Sequence, residues 1–139
     1  MSALQFSGEV AWVTGSSKGI GRAVSIGLAE QGCDVVVHYN SSEDDAREVE
    51  QQITVTGQEA LLLKGDVTST SDVRRMAGEV EDHYGRVDIL VNNAGSMVQR
   101  ATLADMTEEV VGAVLFLASS QSDYIIGEII EVNGGMLMA

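Results

Sequence analysis

An apolar run, Val10-Ala11-Trp12-Val13, stops at Thr14-Gly15 and opens into a loop holding Gly15, Gly19 and Gly21 in the spacing G-x-x-x-G-x-G. Ile20, Ala23, Val24, Gly27 and Leu28 then recur at helical spacing as far as Gln31-Gly32, and Cys33 to Val37 reads as a second strand. Strand, glycine turn, helix and strand in that order form a cradle for an anion. Unpaired N–H groups at a helix start point into the loop, and the helix dipole favours negative charge there. Gly15 suits the tight turn, Gly19 lets a phosphate approach the backbone, and Gly21 lets helix and strand pack closely. The same triplet would also serve a turn that holds no ligand, so its context must decide.

That context is a regular alternation of elements. Asp34 to Tyr39 is a β-branched run of strand length, followed by the turn Asn40-Ser41-Ser42. Ser42 is placed to cap a helix that starts with Glu43, Asp44 and Asp45, runs to about Thr56 and sets Ala46, Val49 and Ile53 on one face. Its acids read as a solvated face. Glu59 to Lys64 is a third strand and closes in Gly65-Asp66-Val67. Ser69 or Ser71 caps a helix carrying Val73, Met76, Ala77, Val80 and Tyr84, which stops at Gly85, and Val87 to Asn92 is a fourth strand. Strands alternating with helices predict an α/β fold with a parallel sheet and helices on both faces, and right-handed crossovers restrict the order to 3-2-1-4. Beyond Gly95, Ser96 to Met106 is irregular or weakly helical, Glu108 to Ala118 has helical spacing, and Ile129 to Val132 is a last short strand.

With 139 residues and 45% hydrophobic content, one packed domain is expected over 1–139. No apolar run approaches the length of a membrane span, and the N-terminus lacks a basic-then-apolar signal pattern, which makes a cytoplasmic protein the default. Twenty-one acidic against 8 basic residues give a net charge of −13, a field that repels nucleic acid. It also disfavours an anionic ligand at long range, so any phosphate grip must be local. The lone cysteine, Cys33, excludes an internal disulfide and reads as a small buried hydrophobe.

Thr14-Gly15-Ser16-Ser17-Lys18-Gly19-Ile20-Gly21 resembles the cofactor loop of the short-chain dehydrogenase/reductase family, as do Gly65-Asp66-Val67-Thr68 and Asp88-Ile89-Leu90-Val91-Asn92-Asn93-Ala94-Gly95. Phe116-Leu117-Ala118-Ser119-Ser120, and Ile125 through Gly135, resemble that family's C-terminal helix and last strand. The motifs stand in the family's order over nearly the whole chain. The 3-oxoacyl-carrier-protein reductase-like and glucose dehydrogenase-like branch is the most similar. The resemblance implies a Rossmann fold and an oxidoreductase exchanging hydride with a pyridine dinucleotide. It also implies that Asp66 accepts from the adenine amino group, that Val67 packs on the adenine ring, and that Asn93, Ala94 and Gly95 lie under the nicotinamide-side ribose.

The family's catalytic Ser and its Tyr-x-x-x-Lys have no counterpart here. The only lysines are Lys18 and Lys64, the tyrosines are Tyr39, Tyr84 and Tyr124, and the chain has no proline. Met106-Thr107-Glu108-Glu109 resembles the start of the family's fourth helix and passes directly into Val110-Val111, which resembles its sixth. The resemblance therefore implies an internal block lost at Thr107-Glu108-Glu109, leaving a cofactor-binding part over 1–107 and a C-terminal helix and strand over 108–139. By the same resemblance, Tyr transfers the substrate proton, Lys lowers its pKa and holds the ribose, and Ser orients the carbonyl. A positioned acid or base contributes roughly 10²–10⁴ in rate, so a chain without them should not reduce carbonyls normally. Ser119, Ser120, Ser122 and Tyr124 read as polar turn residues, with no nearby cation to activate the phenol.

Between the two nicotinamide cofactors the second strand decides. An acid about 20 residues past the glycines would hold the ribose 2′-hydroxyl of NAD, yet the sequence there is His38-Tyr39-Asn40-Ser41, with no carboxylate before Glu43. Tyr39, Asn40 and Ser41 can donate to a 2′-phosphate, and Lys18 supplies a cation. NADP(H) is therefore expected, NAD less so, with Lys18 as an ordinary exposed lysine the plain alternative. His38 reads equally as a strand residue touching nothing, and His83 as a surface residue at a helix end.

The expected fold is a shortened Rossmann sheet, order 3-2-1-4, with the C-terminal strand beside the fourth and residues 108–118 as its crossover helix. Pairing of two chains through the last helix and strand is the alternative, giving a homodimer or hetero-oligomer. Three functions stay open: an NADP(H)-binding remnant without hydride transfer, a module that regulates a full-length relative, and an oxidoreductase that borrows catalytic groups from another chain.

Overall fold

Among the described residues, β-branched and leucine-rich segments assemble into a four-stranded parallel sheet in the order Ala60–Lys64, Asp34–Tyr39, Val10–Val13, Ile89–Val91, the third, second, first and fourth strands along the chain. The strands are β1 (Val10–Val13), β2 (Asp34–Tyr39), β3 (Ala60–Lys64) and β4 (Ile89–Val91), and the helices α1 (Gly19–Glu30), α2 (Glu43–Val55) and α3 (Thr70–Tyr84) alternate with them. This computed structural model describes residues 4–93 together with Val114, Leu115, Ala118 and Ser119. The expected sheet order is the observed one. The expected last strand, Ile129–Val132, lies outside the described residues, as do most of residues 108–118.

Register follows burial. β1 pairs β2 from Val10↔Asp34 to Val13↔Val37, and β2 pairs β3 from Val35↔Ala60 to Tyr39↔Lys64. All of β2 except Asp34 is buried, as expected of a strand covered on both faces. On one face, Ala11, Val13, Val35 and Val37 meet Val24 and Leu28 of α1 and Ala46, Val49 and Ile53 of α2. Val114, Leu115 and Ala118, all helical, pack against this same cluster. On the other face, Val10, Val36 and Leu63 meet Met76 and Val80 of α3. No helix among the described residues is long and apolar enough to cross a membrane.

Several ends differ from expectation. α2 stops at Val55, β3 starts one residue later than the expected Glu59, and β4 is shorter than the expected span from Val87 to Asn92. Ser42 occupies the N-cap position of α2 but makes no side-chain cap bond; only its carbonyl is engaged, by the Ala46 N–H at 3.0 Å. Three acids in the first turn supply the favourable charge instead. Ser69 does cap α3, accepting from the Asp72 N–H at 3.3 Å. At its other end Gly85 adopts φ 76° and donates to the Glu81 carbonyl, a left-handed stop that suits glycine. Val73, expected on the buried face of α3, is largely exposed.

Candidate functional site

β1 is brought to a halt by its own polar residues. The Thr14 N–H donates to the Val91 carbonyl at 3.0 Å, and Thr14 Oγ1 accepts from the Asn93 N–H at 2.8 Å. Gly15 then turns with φ 63°, and Asn93 Nδ2 donates to its carbonyl at 3.1 Å. Asn93 thus ties the end of β4 to the glycine loop. Ala94 and Gly95 lie outside the described residues.

Ser16 is fully buried, and its hydroxyl is engaged inside the fold. It accepts from the His38 N–H at 2.8 Å and donates to the Val13 carbonyl at 2.7 Å, while the Ser16 N–H donates to the His38 carbonyl at 2.9 Å. Ser17 lines the open side of the loop. Lys18 is the N-cap of α1 and makes no side-chain cap bond. The first helical hydrogen bond runs from the Arg22 N–H to the Lys18 carbonyl at 3.2 Å, so the N–H groups of Gly19, Ile20 and Gly21 precede the ladder. Unlike α2, α1 has no acidic residue in its first turn. Its N-terminus carries the positive end of the helix dipole, which favours an anion. Ile20 directs its side chain to the core, leaving its backbone on the loop. Gly21 packs so tightly on Gly15 that a Cβ would overlap the Gly15 carbonyl oxygen.

Beside this loop, at the C-terminal ends of β1, β2 and β3, opens a cleft of about 330 Å³. Its lining includes Gly15, Ser17, Tyr39, Asn40, Ser41, Asp66 and Val67, which puts seven of the residues singled out in the sequence around one space. Its position is where ligands bind in open α/β sheets. Asp66 Oδ1 accepts from the Thr68 hydroxyl at 2.6 Å and from the Thr68 N–H at 2.8 Å, and the Asp66 N–H is held by Asp72 Oδ2 at 2.9 Å. These bonds, the hydroxyl's foremost, keep the Asp66 carboxyl below its ordinary range. It is an acceptor at neutral pH. Lys18 Nζ lies 3.4 Å from Asp45 Oδ2, both largely exposed. The acids of α2 are therefore more than a solvated face: Asp45 holds Lys18, and Glu48 holds Arg22 at 3.3 Å.

His38 is the lining residue whose role the sequence did not disclose. It is 2% exposed. Its Nδ1 accepts from the Gly15 N–H at 2.9 Å, and its Nε2 stands 2.7 Å from the Gly65 carbonyl. Far from touching nothing, it joins the two walls of the cleft. The available signal was a single polar residue at the end of an otherwise apolar strand. Gly65 and Thr68 were also missed as lining residues, although both sit in the quoted Gly65-Asp66-Val67-Thr68 motif. The cleft has donors and acceptors on both walls, from Gly15 and Ser17 on the glycine loop to Asp66 and Thr68 across from it.

Residues 9–124 match the family model for short chain dehydrogenases. The hydroxynaphthalene reductase-like protein Arp2 of Metarhizium majus is 37% identical over 135 residues, 95% of this chain and 50% of its own length. The short chain dehydrogenase claC of Passalora fulva is 42% identical over 105 residues, 76% of this chain and 39% of its own. Among solved structures, a short chain dehydrogenase from Burkholderia cenocepacia J2315 in complex with NADP is 33% identical, with a TM-score of 0.63 over 86% of this chain and 51% of that one. The landomycin C-6 ketoreductase LanV, solved with bound NADP and rabelomycin, is 30% identical, with a TM-score of 0.63 over 83% and 55%. The chain spans about half the length of the first two of these relatives or less. Sheet order, glycine loop and family match agree: this chain belongs to the short-chain dehydrogenase/reductase family.

Proposed function

We propose that this chain binds a pyridine dinucleotide, NADP(H) in preference to NAD(H), and does not carry out the family's hydride transfer on its own. The observation that carries the reading is the cleft that runs from Gly15 and Ser17 of the glycine loop past Tyr39, Asn40 and Ser41 to Asp66. Its dimensions and donors fit the adenosine and diphosphate half of a dinucleotide. The preference for a 2′-phosphate rests on the neutral stretch Tyr39-Asn40-Ser41-Ser42 and on the exposed Lys18 amine at the start of α1, which pairs with Asp45 at 3.4 Å. A carboxylate at this stretch would repel a phosphate; amide and hydroxyl groups donate to it. NADP in two similar solved structures supports the same choice.

The chemistry such a cofactor supplies is hydride exchange with a carbonyl or alcohol. This chain's own residues supply the grip. Among its three tyrosines none has a lysine four positions on, so the proton-transfer pair of the resemblance is missing from this sequence. Association through residues 108–139 is part of the same proposal.

Calorimetric titration with NADP⁺ and NAD⁺, followed by NADPH consumption on a panel of ketones, tests both halves. Binding of NADP⁺ with weaker binding of NAD⁺, and no turnover, is expected. Turnover at rates usual for such reductases would overturn the second half.

A further inference from the structure

We propose that Asp45 is a specificity-determining residue: by holding the Lys18 amine it limits the preference for NADP(H) over NAD(H). This rests on the dinucleotide reading above. Lys18 follows Ser17, and Asp45 stands in the first turn of α2, shortly beyond Ser42. Ser17 and Ser42 line the same cleft. The 3.4 Å contact between Lys18 Nζ and Asp45 Oδ2 therefore ties the glycine loop to the helix that directly follows Tyr39–Ser42. The arrangement repeats one turn further along both helices, where Arg22 of α1 meets Glu48 of α2 at 3.3 Å. Arg47, the cation within α2, holds Glu43 at 2.9 Å. Each cation at the start of α1 and in α2 is thus already paired with a carboxylate of α2.

A phosphate monoester brings a charge of about −1.5 to −2 at neutral pH. To meet it, the Lys18 amine must leave Asp45 or be shared with it, which a point charge on a flexible stem can do. Asp45 is then left as an uncompensated carboxylate close to a second anion. Competition for the amine and repulsion of the phosphate have the same sign, and both weaken NADP(H). Neither bears on NAD(H), whose ribose carries a neutral hydroxyl in place of the phosphate. The Lys18 and Asp45 side chains are 68% and 40% exposed, so solvent screens the pair and the effect is graded rather than a block. The neutral stretch after β2 admits the phosphate; the charge on Asp45 sets how firmly it is held.

The experiment titrates NADP⁺ and NAD⁺ into the natural chain, Asp45→Asn, Asp44→Asn, Lys18→Ala and the double variant Lys18→Ala/Asp45→Asn, with thermal melts to verify folding. Asn keeps the size of Asp45, and Glu43 and Asp44 still supply acids to the first turn of α2, so the helix start is retained. Asp45→Asn is expected to tighten NADP⁺ by about two- to fivefold, the scale of an exposed ion pair, and to change NAD⁺ by less than about twofold. Added salt should shrink the gain. Asp44 is exposed and holds no cation among the described residues. Asp44→Asn removes the same charge without freeing Lys18, and is expected to give less than about half of that gain. In the Lys18→Ala background the Asp45 substitution should lose most of its effect. A folded Asp45→Asn that binds NADP⁺ no tighter than the natural chain would overturn the role of Asp45 while leaving cofactor binding intact. Equal tightening of NAD⁺, or an equal gain from Asp44→Asn or without Lys18, would overturn it too. No binding of NADP⁺ by any of the folded proteins would instead overturn the cofactor reading, and this proposal with it.

Discussion

Gly21 and Gly15 meet backbone to backbone across the cofactor turn, with no room for a side chain between them. A Cβ on Gly21 would overlap the Gly15 carbonyl oxygen and stand 2.5 Å from Asn93 Nδ2, the donor that holds that oxygen. The contact fixes the distance between α1 and the ends of β1 and β4. It thereby holds the start of α1 against the glycine loop, whose Gly15 and Ser17 line the cleft.

Gly21→Ala should therefore lower stability by about 1–3 kcal/mol, the usual cost of overpacking a fixed site. NADP⁺ affinity should fall further than stability alone explains, because the helix start is displaced. Thermal melts and titrations on the same protein check both.

Cofactor choice should follow charge around Lys18 and Asn40. Lys18→Ala is expected to weaken NADP⁺ by about three- to tenfold and leave NAD⁺ almost unchanged, a modest figure because the amine is exposed and shared with Asp45. Asn40→Asp should reverse the preference by placing a carboxylate where the 2′-phosphate would lie. Paired titrations with the two dinucleotides measure this.

The sheet order and the buried face of α2 were legible because burial writes itself as periodicity; on α3 the same spacing picked Met76 and Val80 correctly but also Val73 and Ala77, which are exposed. Ala46, Val49 and Ile53 of α2 are the residues its spacing selects, and all three are buried. Cys33 is likewise the buried hydrophobe expected. Less legible were contacts made across long sequence separations by polar groups. His38 reaches Gly15 and Gly65, 23 and 27 residues away, and nothing local encodes those partners. Ser42 looked like a cap by type, but its backbone, at ψ 66°, lies outside the extended conformation that Ser69 adopts when it caps α3. Lys18 reads as a free cation until the fold brings Asp45 beside it.

Cys33 should be inert in the folded chain. Burial, then Glu9, Asp88 and Asp34, push its thiol up to about 12. Thiolate is the reactive form, so a disulfide reagent at pH 8 should leave it unmodified for as long as the chain stays folded. Denaturant should expose one thiol per chain. Fast modification of folded protein would contradict the packing of β2.

Stability should fall at both pH extremes, for identifiable reasons. Asp88 Oδ2 accepts the Val10 N–H at 2.8 Å and Arg86 Nε at 2.9 Å, which holds its carboxyl below its ordinary range. Its stabilising effect is complete above the unfolded value of about 3.9 and is lost as pH falls through the folded one. Glu59, lowered by His83 and then Tyr84, acts in the same direction. Tyr84 is raised by burial and by Glu59, so its contribution is present below an unfolded value of about 10 and is lost as pH rises beyond it. Asp88→Ala, which strips the Val10 N–H of its partner, should cost about 1–2 kcal/mol at pH 7 and flatten the acid limb. Urea melts from pH 3 to pH 10.5 give the curve.

Amide shifts in ¹⁵N–¹H spectra on adding NADP⁺ test cofactor binding most directly, since they report place as well as affinity. Saturable shifts at Gly15, Ser17, Lys18, Gly19, Tyr39, Asn40, Asp66 and Asn93 are expected, with Glu50 to Ala60 unmoved. A folded chain whose amides stay still at millimolar NADP⁺, or move only along the groove between α2 and β3 that Gln51, Val55 and Gln58 line, would contradict it.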